Sequence, residues 1–118
     1  MKHIKHHLVA PFDFQGLAIR EITPDEFKHG SIATIEVPPN VKHSRAKSTR
    51  SDKIYICMEG TIAFKIEGKD LEMRQSEIIY IPKNEWFQYE NKSSTTAKLI
   101  LIHTPSFDLK CEEFADEE

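Results

Sequence analysis

The sequence predicts an all-β fold, a sandwich or closed barrel of short strands. About nine runs rich in β-branched and aromatic residues are separated by turn signals every 8–12 residues. No stretch keeps helical periodicity long enough for more than a turn or two. The third observation is the stretch Asp52 to Gly60, DKIYICMEG, followed by Thr61 to Gly68, TIAFKIEG. Both halves favour strand, and Glu59-Gly60 between them reads as the turn of an antiparallel hairpin, since Gly takes the positive φ of a tight turn. Closing such strands into a barrel or two packed sheets hides their edges.

The remaining elements follow from local chemistry. Phe12 and Phe14 flank Asp13 in alternation, a short strand, and Gly16 to Ile22 forms another. Thr23-Pro24-Asp25-Glu26-Phe27 resembles a helix start, with room for a single turn before Gly30. Ser31 to Val37 alternates and ends at Pro38-Pro39-Asn40, where Pro lacks a ladder donor and Asn tolerates a left-handed turn. Val41 to Thr49 is polar and reads as an exposed strand. After the central pair come a turn at Gly68-Lys69-Asp70, a short strand at Leu71 to Met73, and an apolar strand at Ile78 to Ile81. Pro82-Lys83-Asn84 turns the chain into a strand at Trp86 to Tyr89. Asn91 to Thr96 is a polar loop, and Lys98 to Thr104 is the last strand before Pro105. The tail from Asp108 to Glu118 carries six acidic residues and is expected as a frayed helix or disordered segment.

Composition narrows the function. With 39% hydrophobic and 30% charged residues the chain is a globular protein, and a formal charge of −3 offers no basic face to a nucleic acid. The basic residues between Lys42 and Lys53 read as a solvated strand edge. Cys57 lies mid-strand and Cys111 in the acidic tail, a pattern of reduced thiols that points to the cytoplasm. The start of the chain lacks an apolar core of signal length, and no segment approaches the ~20 apolar residues of a membrane span. His3, His6 and His7 have no carboxylate or thiol in register and read as surface histidines.

The spacing of the middle of the chain resembles the cupin superfamily. Counting from Asn40, five residues lead to Ala46, one to Ser48, four to Lys53 and six to Gly60. The first cupin segment has the form G-x5-H-x-H-x3,4-E-x6-G. Fifteen residues further on, Ser76, Pro82, Asn84, Phe87 and Asn91 follow the spacing of the second segment, G-x5-P-x-G-x2-H-x3-N. Gly60, Pro82 and Asn91 keep the family residue. The resemblance implies a double-stranded β-helix, or jelly-roll barrel, of two antiparallel sheets. In this reading 1–118 is a single domain, its barrel core spanning about 31–108 between an N-terminal arm over 1–15 and the acidic tail over 109–118. It also implies a homodimer, with Trp86 and Tyr80 as core or interface residues.

In metal-binding cupins, two His and a Glu of the first segment and a His of the second hold a divalent ion. Those places here are Ala46, Ser48, Lys53 and Phe87, and with the shorter spacing Lys47 and Thr49 replace the histidines. Ala and Phe have no lone pair to give, and an ammonium is a donor only. The expectation is therefore a metal-free barrel with no catalytic residue assigned. Its ligand residues are Ser48, Lys53, Tyr55, Phe87, Tyr89 and His103, suited to a small anionic or carbonyl-bearing molecule. By parity Lys53, Tyr55 and Cys57 share the inner side, while His43 faces away unless a bulge intervenes. Lys53 would otherwise snorkel out or pair with an acid such as Glu90. Three other readings stay open at this point. A metal-dependent dioxygenase or isomerase could use His43, Asp52 and His103. A metal-independent, epimerase-like enzyme could use His103 as base. A structural dimer could have its interior packed shut by Tyr55, Phe87 and Tyr89.

Overall fold

The computed structural model describes residues 1–116 and consists almost wholly of strands in two antiparallel sheets. The strands are β1 (Phe12–Phe14), β2 (Leu17–Glu21), β3 (Ser31–Val37), β4 (Lys42–Ser48), β5 (Asp52–Glu59) and β6 (Thr61–Ile66). They continue as β7 (Lys69–Arg74), β8 (Ile78–Ile81), β9 (Phe87–Glu90), β10 (Ala97–Thr104) and β11 (Glu112–Phe114). The larger sheet runs β1-β2-β3-β10-β5-β8 and the smaller β11-β4-β9-β6-β7. This is the jelly-roll arrangement that the family resemblance implied.

Alternation positions the core. On β5, Lys53, Tyr55 and Cys57 are buried, and on β10 so are Ala97, Leu99, Leu101 and His103. The two inner faces meet over Ile35, Val37, Ile62, Phe64, Met73 and Leu99. Asn91, fully buried, donates to the carbonyls of Val37 and Thr95 and accepts from Ser93. A polar group placed that deep is held without loss because its partners are complete.

Several expectations need correction. β5 and β6 do not form a hairpin. β5 pairs with β10 and β8, whereas β6 pairs with β7 and β9 in the other sheet. The Glu59-Gly60 turn carries the chain from one layer to the next. Gly60 has φ +79, and a Cβ there would lie 3.1 Å from Ala97 Cα. The hairpin is instead β6–β7, turned at Glu67 and Gly68, both at positive φ. Thr23 to Phe27 forms no helix, only a turn closed from Phe27 N to the Pro24 carbonyl.

Nor is β4 an exposed edge, because Ala46 and Ser48 are buried and β11 pairs along its outer side. In the tail the helical part is the single 3-10 turn at Leu109–Cys111, and the strand β11 follows it, not a frayed helix or a loose chain; Glu117 and Glu118 lie outside the described residues. Cys111 O accepts from Thr49 N. Trp86 and Tyr80, expected in the core or at an interface, lie outside the core. Tyr80 is exposed, and Trp86 lies half-buried beneath Arg45 and Lys47, at 4.6 and 4.9 Å. Gly60→Ala is expected to lower stability by about 1–3 kcal/mol, read as a lower urea midpoint with an unchanged slope.

Candidate ligand-binding site

A cavity of about 200 Å³ opens between the sheets at one end of the barrel. That is below the roughly 300–1,000 Å³ of pockets for drug-sized ligands, and suits a molecule of about one ring. Its mouth is walled by rings from both ends of the chain: Phe12 and Phe14 on β1, and Phe107 and Phe114 of the tail. Ile35 and Leu101 line its side. Lys53, His103, Tyr55, His43, Glu21 and Glu112 supply the polar groups.

Lys53 is 3% exposed although it lies on a central strand. Its cross-strand neighbour on β10 is His103, and Nζ lies 2.9 Å from His103 Nε2. Glu112 completes the set, with Oε1 2.7 Å from Nζ. Register explains Glu112: it pairs with Ser48, an inward position of β4, so its side chain turns into the barrel. Burial lowers the Lys53 pKa, and Glu112 opposes that by holding the proton. His103 is pushed down to about 3 by burial and by the neighbouring ammonium, so its Nε2 accepts from Lys53.

His43 reaches the interior through a bulge. It pairs with Tyr89, while Ala46 pairs with Phe87, so three steps on β4 match two on β9. Ser44 N, left over by the bulge, donates to the Gln15 side chain in the β1–β2 turn. The His43 ring packs 5.1 Å from both Phe87 and Tyr89 and 5.5 Å from Phe14. Burial takes its pKa down to about 4. The Ser44 carbonyl, 2.6 Å from Nδ1, can only accept, so Nδ1 carries the proton and the lone pair stays on Nε2.

Of the six residues expected to touch a ligand, the fold brings Lys53, Tyr55 and His103 to the cavity. Tyr55 is fully buried, which raises its pKa, with Tyr89 and Glu112 adding to the effect. Phe87 and Tyr89 stand behind that wall, Phe87 with its ring 5.4 Å from Lys53 Nζ. Tyr89 Oη is buried and completes no hydrogen bond among the described residues. Ser48 is occupied elsewhere, accepting from the amides of Arg50 and Ser51 in the β4–β5 turn. His43 and Glu112 are additions. Parity alone hid the first, and the acidic composition of the tail hid the second.

The four places that carry ligands in metal-binding cupins hold chemistry unsuited to an ion. Ala46 and Phe87 have no donor atom, Ser48 Oγ is engaged, and Lys53 presents an ammonium. The alternative set of His43, Asp52 and His103 does not assemble, because Asp52 accepts from Lys83 N in the β8–β9 turn. His103 faces a lysine, not the aspartate that an epimerase-like base requires. The interior is not packed shut, since the cavity lies beside Tyr55.

Fold and spacing together define a small cupin barrel, and the sequence model of the Cupin domain family matches residues 33–103. The chain belongs to that family. It is 23% identical over 100 residues to the tetracenomycin polyketide synthase protein TcmJ of Streptomyces glaucescens, covering 82% of this chain and 67% of that one. The Streptomyces nucleoside dehydratase Pac13, in a form with uridine, superposes with a TM-score of 0.84 at 14% identity, over 98% of this chain and 91% of that one. The polyketide cyclase RemF of Streptomyces resistomycificus gives 0.79 at 18% identity, over 88% and 79%. At these identities the structural likeness speaks for the fold.

The depressed histidines carry a pH signature. Between about 4 and the ordinary value of 6.5, folded His43 binds fewer protons than the unfolded chain does. Stability therefore falls as pH drops through that window. Each tenfold in proton affinity is worth about 1.4 kcal/mol, which puts His43 on the order of 3 kcal/mol. Melting temperature should decline from pH 6.5 to 4, and His43→Phe should flatten the decline.

Proposed function

We propose that this cupin binds a small molecule bearing an anionic or carbonyl oxygen inside its barrel, without a metal ion. One observation carries the reading: the Lys53 ammonium stands, buried, where metal-binding relatives keep a carboxylate ligand, at the polar end of an otherwise apolar cavity. Fixed positive charge in a dry site can polarise a carbonyl much as an ion does. Saturation-transfer NMR with ring-sized ketones, aldehydes and carboxylates tests it. At least one class should bind, and the paired variant Lys53→Met, Glu112→Leu should bind it more than tenfold more weakly while still folding. Replacing both partners avoids stranding a buried carboxylate. Untagged protein should carry only substoichiometric Mn, Fe, Ni or Zn. A stoichiometric ion lost on His103→Ala, or a panel that ignores the cavity, would overturn the proposal.

A catalytic reading is favoured by His43. A neutral imidazole with its lone pair on Nε2 shares the cavity with a carbonyl-polarising lysine, the pairing needed to remove a proton α to a carbonyl. The structural neighbours include a nucleoside dehydratase and a polyketide cyclase. Exchange of α-protons with deuterated solvent, lost in His43→Phe, is the corresponding readout.

The chain works as a homodimer through the outer face of the larger sheet. Two rows of side chains cross that face: Ile32, Ile102, Ile54 and Tyr80, then Thr34, Ile100, Ile56 and Ile78. Tyr80 and Ile78 are 58% and 64% exposed. An apolar patch of that extent marks an association surface. The free thiols Cys57 and Cys111 agree with a cytoplasmic setting, and among the described residues no helix is long and apolar enough to cross a membrane. Light scattering should show a dimer at micromolar concentration and a monomer for Ile56→Lys; a wild-type monomer would refute it.

A further inference from the structure

We infer that Glu112 sets the charge class of the ligand: the cavity takes an uncharged, mainly apolar molecule with a carbonyl oxygen and turns away its carboxylate counterpart. This deepens, and rests on, the reading of the barrel as a small-molecule site. The titratable groups facing the cavity are Glu21, His43, Lys53, Tyr55, His103 and Glu112. Both imidazoles are neutral near pH 7, and both tyrosines of the site keep their protons. One ammonium therefore stands among two carboxylates, and the nearer carboxylate already touches it at 2.7 Å.

The geometry separates two kinds of ligand oxygen. An ammonium has three N–H groups. One goes to Glu112 and one to His103 Nε2, which leaves one for a ligand. A carbonyl oxygen needs no more than that. A ligand carboxylate at the same place would stand beside the Glu112 carboxylate, in a site where the lysine and glutamate side chains are 4% and 6% exposed and water screens little. It could take Lys53 to itself only by expelling Glu112. That residue is fixed by more than its own charge, because β11 pairs with β4 through Glu112, Glu113 and Phe114, and Cys111 O accepts from both Thr49 N and Thr49 Oγ1. With its backbone held in the sheet, Glu112 can leave Lys53 only by rotating its side chain, which would part a buried ion pair. The rest of the lining, with Phe12, Phe14, Phe107 and Phe114 at the mouth, offers a ligand apolar contact and no other cation.

Acetophenone and benzoate form a matched pair of probes, one ring each, one neutral carbonyl and one carboxylate. Titrated into the wild-type protein at pH 7.5 and followed by NMR shifts, acetophenone should bind at least tenfold more tightly. In Glu112→Gln, the affinity for benzoate relative to acetophenone should rise at least tenfold. Equal affinities in the wild type, tighter benzoate, or no relative gain for benzoate in Glu112→Gln would overturn the charge filter and leave the small-molecule site standing. Silence from both probes at millimolar concentration would overturn the underlying reading instead. The wild-type ratio needs no substitution, so a Glu112→Gln chain that failed to fold would still leave the inference open to refutation by that ratio.

Discussion

A lysine on a central strand, pointing into the barrel, is an expensive thing to build. Removing an ammonium from water costs several kcal/mol unless a partner and hydrogen bonds replace the lost hydration. Lys53 obtains these from His103 on the neighbouring strand and from Glu112 on the tail. Much of the site follows from this requirement. It gives the acidic tail a reason to return as an eleventh strand, and it depresses the proton affinity of His103. The last ring of the tail, Phe114, comes over the mouth as a result. A buried ion pair of this kind is weak evidence for stability, since apolar side chains of the same volume often pack as well. Its presence beside a cavity fits the small-molecule site proposed above.

The bulge on β4 is the second device. Without it His43 would face solvent, and the interior would present no basic nitrogen apart from one already accepting from Lys53. The extra residue is stabilised by Gln15, whose backbone sits at φ 56 in the turn of the N-terminal pair. The arm thus contributes an amide oxygen as well as aromatic rings. Bulges of this sort recur beside functional sites because they re-aim one side chain without disturbing the rest of a sheet.

Much of this was legible in the sequence. Alternation on the fifth strand placed Lys53 and Tyr55 on an inner face, and the family resemblance carried by motif spacing implied the architecture. What escaped depends on contacts between distant parts of the chain. Glu59-Gly60 carries a strong local turn signal, but which sheet each flanking strand joins is decided by pairing with residues 69–104. The three residues of β11 are too few to show alternation, and five acids among the last seven residues dominate their neighbourhood. The bulge exists only relative to its partner strand, so parity counted along one strand could not reveal it. Ser48 was on the correct face and still unavailable, because a hydroxyl beside a turn satisfies local amides first.

The segment matching the family ends at residue 103 and begins at residue 33. It holds the lysine and both site histidines, but not the carboxylate that neutralises the lysine nor the four rings around the opening. In this protein the buried lysine and histidines and the rings around the opening are therefore encoded in separate stretches. Two barrels with the same interior could diverge in diet by exchanging only their short flanking strands. Such modular borrowing would leave the family signature untouched while changing the molecule each barrel admits.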